Sequence, residues 1–319
     1  MESFKLDQQH IEEAVNELST LGDMLRWGTS VFNQSGVFYG HGSDNAWDEA
    51  VALATHVLAL PIDSKDSILG SRLLTRERIA IAEAFAIRVN DRVPTAYITN
   101  HAWFAGLQFY VDDRVLVPRS PIAQMIHANF EPWLKGHNVQ RALDLCTGSA
   151  CIALAMAHQF ESAEVDAIDI SHDALDVANI NIFEHGMEDR VIPIQSDLMN
   201  EVLREKYDLI VSNPPYVDQE DMDSLPQEFI HEPELGLAAG WDGLDLVKRI
   251  LVDALGCLND GGILVVEVGN SQIHMEQQFP EVEFDWVEFA QGGHGVFVLT
   301  KAQLQLHHEL FKAALAATI

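Results

Sequence analysis

Basic residues are scarce in this sequence: 19 Lys and Arg stand against 49 Asp and Glu, a formal net charge of −30. Tight nucleic-acid binding depends on Lys and Arg neutralising phosphates. Most of this surface therefore repels a polyanion, no DNA partner is expected, and a basic macromolecular partner suits the field better. No apolar run approaches the roughly 20 residues that cross a bilayer, so no membrane span is expected. The opening MESFKLDQQH carries acids and amides where a secretory signal needs a basic patch and an apolar stretch. A cytoplasmic protein is expected. Cysteine is equally sparse. Cys146, Cys151 and Cys257 form no CxxC pair, which argues against a disulfide framework. Cys146 reads as a small loop residue before a helix rather than a reactive thiol.

What remains is ordinary for a globular chain, with 48% hydrophobic and 21% charged residues, and 319 residues suffice for one large domain and a smaller one. Residues 1–90 carry helical periodicity, in Ile11, Val15, Leu18, Leu21 and Leu25, in Trp47 to Leu58, and over about 75–90. The stretch 101–117 alternates aromatic and polar residues around Asp112-Asp113 and reads as a β-hairpin. From residue 139 strand-like runs at 141–146, 163–169, 190–196, 207–212 and 261–269 alternate with helical ones at 149–159, 172–185 and 242–258. That alternation predicts βαβ units and a parallel sheet covered on both faces. Residues 283–290 and 295–300 read as a terminal antiparallel hairpin, followed by a helical tail. The expected division is a helical N-terminal substrate-recognition domain over 1–98, a hairpin linker over 99–120 and a catalytic domain over 121–319.

In open α/β sheets, ligands bind at the carboxyl ends of strands. Four strand ends here carry suitable groups: the turn Asp144-Leu145-Cys146-Thr147-Gly148-Ser149-Ala150, then Asp169, then Ser196-Asp197, then Asn213. Gly148 lets backbone approach a ligand closely. Asp169, about twenty residues beyond, suits ribose hydroxyls because one carboxylate accepts from both, while Ser171 is free to cap the next helix. Ser196 and Asp197 suit an adenine amino group. The first turn has too little glycine for a GxGxxG fingerprint and is no Walker loop, so NAD and ATP are disfavoured. The fourth strand stops at Asn213-Pro214-Pro215-Tyr216. Two prolines end a central strand and hold a rigid backbone at the ligand end.

Together these strand ends resemble the Rossmann-like S-adenosylmethionine-dependent methyltransferases, whose seven-stranded sheet ends in an antiparallel strand. Within that class an N-P-P-Y sequence after the fourth strand marks enzymes that methylate a nitrogen conjugated to a π-system. The resemblance implies S-adenosylmethionine as cofactor, held by Asp144, Cys146, Thr147, Gly148, Ser149, Ala150, Asp169, Asp197, Leu198 and Asn213. It implies catalysis by Asn213, Pro214, Pro215 and Tyr216, with Asn213, Pro214, Tyr216 and Arg119 against the substrate. An amide nitrogen is a poor nucleophile because its lone pair is delocalised into the carbonyl. The Asn213 side-chain oxygen and the Pro214 carbonyl can accept from its two N–H groups and aim it, while Tyr216 packs flat on the amide. Positioning then supplies most of the rate, with no metal and no covalent intermediate.

Residues 92–121, 144–149, 213–222, 231–244, 267–271 and 292–297 resemble the protein N5-glutamine methyltransferase family, most closely its branch acting on the third protein of the large ribosomal subunit. That implies a basic ribosomal protein as substrate, free or within an assembling subunit. The branch that modifies peptide-release factors usually reads IPRPET where this chain has VLVPRSP at 115–121. A DNA or RNA amino methyltransferase shares NPPY but needs a basic face, and a non-catalytic module would not need the motif intact. The family has glycine where Ala150 stands, a position where helix packing tolerates alanine. His231-Glu232-Pro233-Glu234 reads as a substrate-gating loop rather than a metal site, because proline breaks ligand spacing on a helix.

Overall fold

The structure is a computed structural model that describes residues 4–317. Contacts divide the chain into two units. One runs to Ala102 and includes Pro226–His231; the other comprises Trp103–Leu225 and the residues from Glu232 onward.

The first unit is helical, with α1 (Gln8–Glu17), α2 (Leu21–Ser35), α3 (Ala46–Val57), α4 (Thr75–Ala86) and the short α5 (Thr95–Thr99). The apolar series from Ile11 to Leu25 is split between α1 and α2, because Thr20 and Asp23 form a reciprocal capping box that starts a new helix. Asn45 caps α3 by accepting from the Asp48 N–H. A π-helical turn over Ile87–Asp91 continues α4 to the end expected near residue 90. Met24, Phe32, Leu53, Ile81 and Phe85 are fully buried between the helices. Gly28 gives the Phe85 ring of α4 room to pack on the α2 backbone, since an added Cβ would lie 2.3 Å from that ring.

That apolar core also holds a charge. The Arg88 side chain is 1% exposed, and its guanidinium donates to Glu49 Oε2 at 2.6 Å, Glu228 Oε1 at 3.1 Å and the Phe38 carbonyl at 2.7 Å. Glu228 Oε1 also accepts the Phe38 N–H at 2.9 Å. These bonds are why Pro226–His231 belongs with the helices and not with the rest of the expected 121–319 domain.

β1 (His101–Phe104) and β2 (Leu107–Tyr110) form a two-stranded sheet. The hairpin is shorter than the alternation over 101–117 suggested. It reverses at Ala105 and Gly106, both at positive φ (50° and 77°), as the type I′ hairpin turn requires of its central pair. Asp112 lies past it, bonded by two guanidinium N–H groups of Arg114 and by the Tyr110 hydroxyl.

The second unit is Rossmann-like. It continues through α6 (Ile122–His127), β3 (Arg141–Leu145), α7 (Cys151–Gln159), β4 (Glu164–Asp169), α8 (His172–Glu184), β5 (Val191–Gln195) and β6 (Tyr207–Ser212). After it come α9 (Gln219–Met222), α10 (Asp245–Cys257), β7 (Leu258–Glu267), α11 (Gln272–Gln278), β8 (Asp285–Trp286), β9 (Val296–Thr300) and α12 (Lys301–Ala316). The seven strands lie in the order β5-β4-β3-β6-β7-β9-β8, parallel except that β9 runs antiparallel to both β7 and β8. Successive residues feed opposite cores: Leu209 and Val211 pack on one face with α7, while Ile210 packs on the other with α10. Both faces are thereby buried, which is why these strands read as continuous apolar runs. β3 lies between β4 and β6, so the chain order switches there. Leu145 pairs with Ser212, which brings the turn after β3 beside Asn213.

Candidate active site

A cavity opens at the switch point in the second unit. Its wall is built from the ends of four strands: Cys146 to Ser149 after β3, Asp169 to Ser171 after β4, Ser196 to Leu198 after β5, and Asn213 with Pro215 after β6. Val115 to Ser120 line it too, as do Pro233, Leu235 and Gly236. Of the residues singled out from the sequence, Asp144, Ala150, Pro214 and Tyr216 lie off this wall.

Asp144 stands behind the wall, fully buried. Its Oδ2 accepts from Thr147 Oγ1 at 2.6 Å and from the Ala153 N–H at 3.0 Å, so it ties the turn to the start of α7. Burial pushes its carboxyl up to about 7. Its role in the fold is to hold the turn rather than to face the cavity. The turn it holds is unusual: Cys146, Gly148 and Ala150 all have positive φ, at 60°, 54° and 63°. Gly148 lines the cavity, and a Cβ built on it would meet no protein atom within 4 Å. Open space beside backbone is what close approach of a ligand needs. Burial raises the Cys146 thiol well above the usual range, helped by Asp169 and Asp144.

Asp169 is fixed by its neighbours, Oδ2 accepting from the Gly148 N–H and Oδ1 from the Ser171 N–H, both at 2.9 Å. Ser171 caps α8 as expected, its hydroxyl accepting from the Ala174 N–H. Each Asp169 oxygen keeps a second lone pair for a ligand hydroxyl. Burial raises the carboxyl above its usual range. Asp197, also on the wall, is paired with Arg249 at 2.9 Å.

After β6, Asn213 is half-exposed on the wall, and among the described residues its side-chain amide has no hydrogen-bond partner. Tyr216 is held through its hydroxyl, its carbonyl and its ring. Its hydroxyl donates to Glu267 Oε1 at 3.0 Å, its carbonyl accepts from Ser271 Oγ at 2.8 Å, and its ring lies against Gly269. Burial and Glu267 push the phenol far above its ordinary value.

Two carboxylates of this constellation make bonds that no local pattern in the sequence announces. Glu267, fully buried at the end of β7, accepts from both Tyr216 and Ser120, and burial raises its carboxyl. Glu232 takes both arms of Arg119, at 2.6 and 2.7 Å, and the Val117 N–H at 3.0 Å. Arg119 is thus on the wall but held in a two-point ion pair. The first two residues of His231-Glu232-Pro233-Glu234 point apart, His231 Nε2 to the Asp91 carbonyl and Glu232 to Arg119. Only the linking of strand ends was legible; these bonds connect residues more than 50 positions apart with no local pattern.

Over residues 129–242 the chain matches the family described as methyltransferase small domain. It is 51% identical over 295 residues to the ribosomal protein uL3 glutamine methyltransferase of Xanthomonas campestris pv. campestris, across 92% of this chain and 95% of that protein. The protein of that name from Francisella tularensis subsp. tularensis is 46% identical over 306 residues, across 96% and 98%. The chain belongs to the ribosomal protein uL3 glutamine methyltransferase family. Among solved structures it is similar to the hMettl16 catalytic domain in complex with an RNA hairpin, at 19% identity and a TM-score of 0.48 over 68% of this chain and 80% of that one.

Ala150, where the resemblance led us to expect glycine, has a backbone reason to be glycine. At φ 63° a Cβ is strained by about 1–2 kcal/mol. Ala150→Gly relieves that strain but loses a buried methyl, about 0.8 kcal/mol, and loosens the unfolded chain by about 0.4–1 kcal/mol. The opposed effects nearly cancel. Urea unfolding should place the variant within about 1 kcal/mol of the wild type, with S-adenosylmethionine affinity unchanged by calorimetry.

Proposed function

We propose that this protein transfers a methyl group from S-adenosylmethionine to the side-chain amide nitrogen of a glutamine in ribosomal protein uL3. The observation that carries the reading is the Asn213 amide. It stands without a partner among the described residues, on the cavity wall, on a backbone stiffened by Pro214 and Pro215. A carboxamide oxygen there accepts one N–H of an incoming glutamine, and the Pro214 carbonyl accepts the other. Both bonds orient the nitrogen without asking it to give up a proton first. Tyr216, tied to Glu267, fixes the turn from behind.

S-adenosylmethionine supplies an electrophilic methyl on a sulfonium that needs in-line approach and no metal. Gly148 would give it room, Asp169 would take the ribose hydroxyls, and Asp197 with Leu198 would face the base. Thr147, Ser149 and Cys146 line the remaining edge. Asp144 and Ala150 act on the cofactor through the turn they shape. Asp169→Ala removes charged acceptors worth about 1.5–3 kcal/mol each. Titration calorimetry should show affinity falling by at least tenfold; unchanged affinity would leave Asp169 a purely structural residue.

The charge of −30 supports a basic protein substrate over a nucleic acid. No helix among the described residues is long and apolar enough to cross a membrane, and a cytoplasmic site of action fits an assembling ribosomal subunit. Methyl-labelled cofactor offered with uL3, peptide-release factors and duplex DNA side by side tests the reading. Label is expected in uL3. Label in release factors alone, or in DNA, would overturn the substrate assignment.

A further inference from the structure

Trp241 is 86% exposed, the most exposed of the large apolar side chains among the described residues, and its segment is tied down by several bonds. Gly240, at φ 80°, lies against Asp245, where an added Cβ would sit 2.2 Å from the carboxylate. Gly243, at φ 70°, lies against the Tyr216 carbonyl and Ser271 Oγ, at 2.3 and 2.2 Å from an added Cβ. Asp242 between them accepts the Leu244 N–H and the Lys248 ammonium, and His274 contacts its carbonyl. Upstream, Val217 bridges to Ala238, donating to the Leu237 carbonyl and accepting the Ala239 N–H. An indole is thus held outward on backbone that is fastened to the residues directly after Asn213. Leu235, 60% exposed and on the cavity wall, belongs to the same segment.

We infer that Trp241 is the docking anchor for the substrate protein, receiving an arginine or lysine close in sequence to the glutamine presented to Asn213. A large rigid side chain that gains area without losing many rotamers is what interface anchors provide. Charge selects the occupant. Residues 213–244 contain eight acids and no Lys or Arg. Glu228, Glu232 and Asp242 are used in internal ion pairs. Glu220, Asp223 and Glu234 are exposed and have no cationic partner among the described residues. An indole in that setting attracts a cation over its face, and tryptophan is the best ring for it. A second copy of this chain would bring the same acids and is disfavoured. The inference rests on the uL3 reading but concerns binding, so the two fail separately.

The test measures uL3 binding directly, with a cofactor analogue that cannot transfer a methyl, and methyl transfer in parallel. Trp241→Ala should weaken uL3 binding and raise KM by about tenfold, leaving kcat and S-adenosylmethionine affinity unchanged. Trp241→Tyr should recover most of the loss and Trp241→Leu little of it, a split that a purely apolar contact would not give. Wild-type binding of uL3 without methylation would sink the proposed function and keep the anchor. Binding within twofold of wild type in Trp241→Ala, or no uL3 binding by the wild type, would overturn the anchor. So would a wild-type dimer, by sedimentation, that Trp241→Ala dissociates.

Discussion

Asn213→Ala should abolish methyl transfer while leaving the cofactor bound. The substitution removes one small amide from a half-exposed position whose side chain bonds to nothing else among the described residues, so the fold loses little. Pro214 and Pro215 still shape the turn, and Tyr216 stays tied to Glu267. What goes is the acceptor that aims the substrate nitrogen. Loss of one preorganised hydrogen-bonding group in an active site costs about 10²–10³ in kcat. Asn213→Asp keeps an acceptor oxygen and should retain measurable turnover. The measurement is kcat at saturating uL3, with S-adenosylmethionine affinity read by calorimetry on the same preparations. Turnover above about a tenth of wild type in the alanine variant, a loss under about 1.4 kcal/mol, would contradict the orienting role.

Arg88→Met should be the most destabilising single change away from the site. Arg88, Glu49 and Glu228 have side chains only 1%, 1% and 3% exposed. Removing the guanidinium leaves two carboxylates without their shared partner, and Arg92, 3.6 Å from Glu228, reaches only one of them. Breaking a buried ion pair from one side costs about 3–5 kcal/mol, far more than the pair itself contributes over an apolar replacement. Urea unfolding should show the loss, and hydrogen exchange should place it in α3, α4 and residues 226–231, with the sheet unaffected. Acid should reproduce part of it. Burial pushes the Glu228 carboxyl up, but the Phe38 N–H and Arg88 outweigh that and hold it below the ordinary value of 4.5. Its contribution is complete above that value and is lost as pH falls through the lowered one. A variant with wild-type stability would show that the triad is not what fastens this segment.

How much was legible follows from where the physics is local. The parallel strands announce themselves because burial on both faces demands unbroken apolar runs, as in Leu209-Ile210-Val211. The strand-end turns are legible for the same reason: Gly148 and the prolines are choices that short backbone stretches impose. Alternation continues past Tyr110 into Asp112 although the strand does not, because Asp112 bonds Arg114 instead. The split between α1 and α2 came from a capping box that outweighs periodicity. The buried pairs Arg88–Glu228 and Arg119–Glu232 join residues 140 and 113 positions apart, and a single sequence holds no sign of them. The Tyr216–Glu267 bond, across 51 positions, is likewise invisible in a single sequence.

Tandem mass spectrometry of uL3 after reaction with the purified protein decides whether a glutamine side-chain nitrogen receives the methyl group. The account predicts the mass of one methyl group on a single glutamine, retained on the side-chain nitrogen, and absent when Asn213→Ala replaces the wild type. A methyl group on lysine, arginine or the chain terminus, or one that Asn213→Ala still installs at the wild-type rate, would contradict it.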